Sequence, residues 1–424
     1  MNRFCWLAIV LAALGLCGLA AASAAEVQAG RSDKDRAAAI RAGNQSGADP
    51  KFVAAIRRLD QLFAELEYDS AGQIVGVDLA GGRKSVADAD VECLPALGHV
   101  KKLRIAGGEV TNAGAKTLGT MTGLVELALL GTQIDDQGLG QLTPLKNLAA
   151  LNLQRSANLT DAALEHVRTF RNLVNLGLGD NGFSDPAIAR LHDLPRLKVL
   201  DLRGCSQITD AGIEQLRAVQ SLRGLKLGGV TITDATMAVV ARFPKLSLLA
   251  VEDSSVGNAA LEKLAGLPLE ELTISRSFSI NDEGLGVLRR FEGLRYLSLR
   301  DMPIRGAALG HLQNKANLKV LILSQTGIDD TALKHLRGLK SLTRLELRQT
   351  QITDAAMAQV ADLPNLEVLD LSETQITDAA IEPLSKLIHL KTLRIGQTGI
   401  SPDGIKRLAH ALPQCKLVNE AVSE

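Results

Sequence analysis

The sequence predicts an α/β solenoid of about fourteen strand–turn–short-helix repeats of ~24 residues, with a parallel sheet on its concave face. Three observations predict it. The pattern L-x-x-L-x-L recurs from "IVGVDL" (74–79) to "LKTLRI" (390–395), at steps of 23 to 26 residues. A short polar residue follows at a constant offset. Apolar residues then recur at three-residue steps.

The strand comes first in each repeat. The fourth and sixth positions lie two apart and share one strand face, so they point into the core. The third, fifth and seventh positions are expected to face solvent. The turn carries Thr, Ser, Asn or Cys at the ninth position: Thr132, Ser156, Asn181, Cys205, Ser254, Ser277, Thr326, Thr350, Thr374 and Thr398. A short hydrogen-bonding side chain there satisfies backbone groups where the chain bends inward. Val230 and Met302 break the series, and the ladder is expected to be interrupted at both.

An apolar plug follows the turn, as with Ile208, Ile232, Ile352 and Ile376. The next pair, often Thr-Asp, suits a helix N-terminus, where its oxygens accept free first-turn N–H groups and its charge matches the helix dipole. Leu164, Val167 and Phe170, or Met357, Val360 and Leu363, then form the inner stripe of a short helix. No such unit buries its apolar face alone, so each depends on its stacked neighbours.

The ends are expected to be covered. Asp49 and Pro50 suit the cap and first position of a helix, and Phe52, Ile56, Leu59, Phe63 and Leu66 form one stripe, which predicts an N-terminal capping helix over 49–69. The repeats fill 70–412, and 413–424 form a C-terminal cap and tail in which "CKLV" is a candidate last strand. Ahead of the cap, 26–48 are polar and rich in small residues, a flexible spacer. Residues 1–25, "MNRFCWLAIVLAALGLCGLAAASAA", have the form of a signal peptide with small residues at the cleavage site. The chain is therefore expected to be secreted or periplasmic, or anchored through residues 4–25 if the segment is retained.

Composition narrows the function. Lys+Arg and Asp+Glu both number 47, so the net charge is zero and nothing favours nucleic acid or an anionic membrane as partner. Aromatics are 3%, too few for base-stacking platforms. Cys93, Cys205 and Cys415 are widely spaced, neither a disulfide framework nor a metal cluster. They are expected to be buried small hydrophobes.

"LDLRGCSQITDAGIEQL" (200–216), "LELRQTQITDAAMAQV" (345–360) and "LDLSETQITDAAIEPL" (369–384) carry a resemblance. Residues 74–412 are similar to leucine-rich repeats of the T-x-I-T-D-x-x-L kind, as in bacterial secreted leucine-rich-repeat proteins and in F-box leucine-rich-repeat proteins. The resemblance implies a curved scaffold whose strand face binds proteins. No F-box-like helical segment precedes the repeats.

Candidate chemistry is sparse. His166, His311 and His335 share a helix column, but Gln141, Arg190, Gln215 and Lys263 fill the same column elsewhere, as on a solvated surface. "DADVE" (88–92) and "DNGFSD" (180–185) lack the spacing and distal Glu of a calcium loop. Nucleophile-elbow, P-loop and dinucleotide fingerprints are absent. No catalytic, cofactor or metal residue is therefore assigned.

The exposed strand face supplies the partner-binding candidates: Asp201, Arg203, Lys226, Tyr296, Arg300, Glu346, Arg348, Asp370 and Arg394, with Arg104 and Glu373 beside them. Opposite charges are interleaved there, and Tyr296 with Arg300 is the best anchor because Tyr and Arg are enriched at hot spots. The expected function is a non-enzymatic protein-binding scaffold with an unidentified protein partner. Two alternatives stay open, a self-assembling structural component of the cell envelope and an adaptor for a separately encoded enzyme.

Overall fold

The computed structural model describes residues 49–82 and 85–419. The signal segment 1–25, the spacer 26–48 and the end of the tail lie outside the described residues. The chain divides into two compact units, Met1–Lys226 and Leu227–Glu424.

The first unit opens with helix α1 (Pro50–Gln61), capped by the Asp49 carboxylate, which accepts from the Lys51 N–H at 2.9 Å. Ala55, Ile56, Leu59 and Leu62 form its buried face. The helix is shorter than the stripe suggested. It closes where Ala64 N–H reaches the Leu59 carbonyl and Phe63 N–H reaches that of Asp60, both at 3.0 Å, the paired bonds of a Schellman cap. Phe63 takes the left-handed position (φ 56°) and is exposed, so Leu62 replaces it in the stripe. The chain then forms β1 (Glu65–Tyr68), antiparallel to β2 (Ile74–Asp78). The cap over 49–69 is thus a helix plus a strand. Arg58 ties it to the first repeat through the buried Asp90.

Parallel strands β3 (Lys102–Ala106), β4 (Glu126–Leu130), β5 (Ala150–Asn152), β6 (Asn175–Gly177) and β7 (Val199–Asp201) follow in chain order, and β8 (Gly224–Gly228) straddles the unit boundary. The second unit continues with β9 (Leu248–Glu252), β10 (Glu271–Ser275), β11 (Tyr296–Ser298), β12 (Val320–Ile322), β13 (Arg344–Glu346), β14 (Val368–Asp370) and β15 (Thr392–Arg394). Helix α2 (Pro402–Ala411) and β16 (Lys416–Val418) end it, and β16 pairs in parallel with β15 as the "CKLV" stretch suggested.

The core follows the repeat. Fourth and sixth positions are buried from Val77 and Leu79 to Leu393 and Ile395, as are the plugs Ile208, Ile232, Ile352 and Ile376. Each fully buried Leu or Ile stabilises by roughly 1.5–3 kcal/mol. The turn ladder forms over most of its length, though the buried Thr132 hydroxyl makes no hydrogen bond. Thr326, Thr350 and Thr374 donate to the carbonyls of Leu323, Leu347 and Leu371 at 2.6, 2.6 and 2.5 Å. It breaks at Val230, which is 75% exposed, and at Met302, which fills its slot with apolar volume. Among the described residues Cys205 is the one buried cysteine, and burial pushes its thiol up to about 11; Cys93 and Cys415 are half-buried.

Two features correct or extend the expected repeat. In the Thr-Asp pairs the helix cap is the threonine: Thr209, Thr353 and Thr377 accept from the N–H two residues on at 3.2, 3.3 and 3.3 Å, while Asp135 and Asp329 cap where they stand in the threonine's place. The following aspartate instead joins repeats. Asp354 accepts from Thr377 N–H at 2.8 Å and from its hydroxyl at 2.7 Å, and Asp185 and Asp330 do the same for Thr209 and Thr353. Secondly, the eighth position is left-handed in every repeat from Gly107 (φ 108°) to Gln397 (φ 56°). A non-glycine residue there costs about 1–2 kcal/mol relative to a right-handed conformation.

One core position breaks the pattern. Lys315 occupies the column of Phe291, Leu339 and Leu363 and is buried, with its ammonium donating to the Arg289 carbonyl at 3.2 Å. Burial holds its pKa below the usual lysine range, against the opposing effect of Glu292. Lys315→Leu is expected to raise stability by ~1 kcal/mol by removing this buried charge. An unchanged or lowered denaturation midpoint would contradict that role.

Candidate protein-binding face

The strands present their third, fifth and seventh residues on the face opposite the helices. These positions are less open than the alternation suggests, because adjacent strands stand only ~4.8 Å apart and their side chains cover one another. Asp78, Asp201, Ser298 and Asp370 are all buried.

In the first unit most charges on this face neutralise each other. Asp201 receives Arg203 through two nitrogens, at 3.0 and 2.7 Å, and lies 3.7 Å from the Lys226 ammonium. Arg104 pairs with the buried Asp78 at 3.2 Å, and Lys102 with Glu67 at 2.9 Å. Asp201, Arg203 and Lys226 are therefore brought together as one closed cluster. Their charges are satisfied internally, which leaves less for a partner than their separate appearance in sequence implied.

The second unit differs. Register places Tyr296, Val320, Arg344, Val368 and Thr392 in one row, and Ser298, Ile322, Glu346, Asp370 and Arg394 in the next. Tyr296, Val320 and Ile322 are contiguous and half-buried, and Val368 lies across Arg344 from them. These residues form an apolar centre; Leu248 and Ala250 stand in the same two rows beyond Glu271 and Thr273 but are buried. Burial raises the Tyr296 pKa above the usual phenol value, with the Glu346 carboxylate adding to the rise. The phenol is thus neutral, an amphipathic ring available as an anchor.

Fixed charges surround this centre. Arg344 pairs with Glu346 at 2.7 Å, and Arg348 with Glu373 at 2.7 Å. Arg300 donates to the Gln325 carbonyl oxygen at 2.8 Å and is itself exposed. Asp370 accepts from Ser372 N–H at 3.0 Å. Arg394 makes no side-chain hydrogen bond or ion pair among the described residues. An apolar middle with a polar rim is the composition of a recognition patch. The strand residues Val320, Ile322 and Val368 escaped a search for charges and aromatics. The signal that finds them is β-branched residues at third and fifth positions, where the repeat calls for polar ones.

The other candidates resolve into structure. Asp88 accepts from Thr111 and Gly114, Asp180 from Gln154, and Asn181 spans the buried Leu153 and Leu178 carbonyls. His335 Nδ1 lies 3.0 Å from the Gln313 amide, and burial and Lys334 lower its pKa. Among the described residues, no three His, Cys, Asp or Glu are grouped as metal ligands, and no helix is long and apolar enough to cross a membrane.

Two family models match, both described as leucine-rich repeats, at residues 195–216 and 316–376. No curated protein matches the chain. Among solved structures, the complex of Rad7 and Elc1 from yeast is similar at 18% identity and TM-score 0.61, covering 91% of this chain and 92% of that one. An internalin from Listeria monocytogenes is 22% identical with TM-score 0.49, over 73% of this chain and 89% of that one. A leucine-rich-repeat protein of Leptospira interrogans is 20% identical with TM-score 0.42, over 80% and 94%.

Proposed function

We propose that this leucine-rich-repeat protein is a non-enzymatic scaffold that captures a protein partner on the strand face of its second unit. The observation that carries the proposal is the apolar centre of Tyr296, Val320 and Ile322, set among side chains held by ion pairs. Apolar surface left on a sheet face whose neighbours are polar is a cost unless a partner covers it. Paired rim charges keep their geometry, so little side-chain entropy is lost when the partner docks. The signal-like sequence of residues 1–25 supports an encounter outside the cytoplasm, in the periplasm or beyond.

The test is a quantitative pull-down from an envelope fraction with immobilised wild type, Tyr296→Ala/Ile322→Ser and Ile388→Ser. Ile388 is 72% exposed and lies away from the strands, so it controls for general stickiness. The strand-face pair is expected to reduce capture at least tenfold, with Ile388→Ser unchanged. Equal capture by all three folded proteins would refute the assignment.

A further inference from the structure

The left-handed eighth position lies at the C-terminal end of each strand, at the border of the proposed binding face. In the second unit only Gly229 uses glycine there; Asp253, Arg276, Asp301, Gln325, Gln349, Glu373 and Gln397 do not. Aspartate tolerates this conformation through local hydrogen bonding. Arg276 and Asp253 offset it with two charged bonds, at 2.6 and 2.7 Å, and Arg348 does so for Glu373. Gln349 and Gln397 have no such compensation. Both are exposed, with φ of 56°, and neither carboxamide has a partner among the described residues. Glycine fills the same column at Gly107, Gly131, Gly204 and Gly229, so the repeat accepts it readily. Conformational strain that the fold does not need marks a functional requirement on the side chain.

We infer that Gln349 and Gln397 are specificity-determining residues that read the backbone of an extended peptide segment lying across repeats of the second unit. This deepens the proposed function and rests on it. A carboxamide can donate to a peptide C=O or accept from a peptide N–H, whichever an extended chain turns toward it. Gln349 and Gln397 are two repeats apart, about 9.6 Å at the usual strand spacing, and three residues of extended chain span about 10 Å. Peptide groups three apart turn opposite atoms to the same edge, so one of these carboxamides donates to a C=O and the other accepts from an N–H. The adjoining apolar residues Tyr296, Val320, Ile322 and Val368 offer contacts for its side chains. A saccharide is the less suited occupant, because its flat rings favour aromatic platforms and this face has one tyrosine.

The probe is a displayed library of random linear dodecapeptides, selected on the folded wild-type chain. Selected peptides are measured against Gln349→Gly/Gln397→Gly and against Tyr296→Ala/Ile322→Ser. Loss of at least tenfold in affinity with the glycine variant, together with a melting temperature equal to or above wild type, is the expected result. N-methylation of single peptide bonds in the best binder is expected to weaken it tenfold at the bond whose N–H is read, and less at the bond three residues away, whose C=O is read. Peptides that bind the glycine variant as tightly as wild type, yet fail on the Tyr296 variant, would overturn this inference and leave the proposed function standing. Peptides indifferent to both variants, or a library that yields none while a glycan panel binds, would overturn both.

Discussion

Asp354→Ala is expected to destabilise the protein by about 2–3 kcal/mol, more than loss of a helix cap costs. Its carboxylate holds both the N–H and the hydroxyl of Thr377 in the next repeat, at 2.8 and 2.7 Å. Hydrogen bonds to a charged group contribute ~1.5–3 kcal/mol each, and two on one carboxylate share part of that. Thr353→Ala, which removes the bond from Ala355 N–H and the hydroxyl's bond to Asp330 but keeps the Thr353 N–H bond to that carboxylate, is expected to cost ~1–2 kcal/mol. Urea denaturation of both variants checks the order. A smaller loss in Asp354→Ala than in Thr353→Ala would place the aspartate back in the role of a simple cap. In a stack where every unit leans on its neighbours, weakening one junction lowers cooperativity as well as midpoint. The Asp354→Ala transition is therefore expected to be broader.

Acid is expected to destabilise the chain by protonating carboxylates that hold helix caps, an ion pair and the junction to Ser401. The Asp378 pKa is lowered by its bonds to the Ser401 hydroxyl and N–H. That of Asp329 is lowered by Thr331 and first-turn N–H groups, that of Asp135 by the Gly138 N–H and the Asn112 amide, and that of Asp253 by Arg276. A carboxylate whose folded pKa lies below its unfolded value adds stability above the unfolded pKa. That contribution disappears as pH falls through the folded one. Stability is accordingly flat near neutrality and falls below about pH 4, close to the unfolded aspartate value. Glu126 works in the opposite sense: burial raises its pKa, so its protonation on acidification favours the folded state. Melting temperatures between pH 3 and 7 test the balance. A rise in melting temperature below pH 4 would mean that groups like Glu126 dominate.

The repeat made most of the fold legible. Leu345 and Leu347 are buried because they sit two apart in a strand, and Thr350 turns inward because a carbonyl waits three residues back. Both follow from local periodicity. Strand β1 was not legible, since its residues lack the repeat and it forms only by pairing with β2. Nor was the inter-repeat role of Asp354, because its partner lies 23 residues away and the same Thr-Asp pair satisfies a cap rule. The face was legible in part. Tyr296 could be placed on it from spacing, whereas the pairing of Asp201 with Arg203 and Lys226, and of Arg348 with Glu373, depends on rotamers and register.

The stretch "TQITDAA" at 350–356 and 374–380 illustrates the division. Its threonines, isoleucines and aspartates serve turn, core, cap and junction. The proposed recognition rests instead on residues the motif leaves free, at the third, fifth and eighth positions.

Photo-cross-linking tests the central claim most directly. A benzophenone side chain is placed at Val320 in one protein and at Ile388 in another, and each is irradiated in the presence of an envelope fraction. Capture on the strand face requires a discrete covalent adduct from position 320 and none from position 388, with the adduct abolished by Tyr296→Ala/Ile322→Ser. An adduct formed only from position 388, or one from position 320 that persists in that variant, would contradict binding on the strand face.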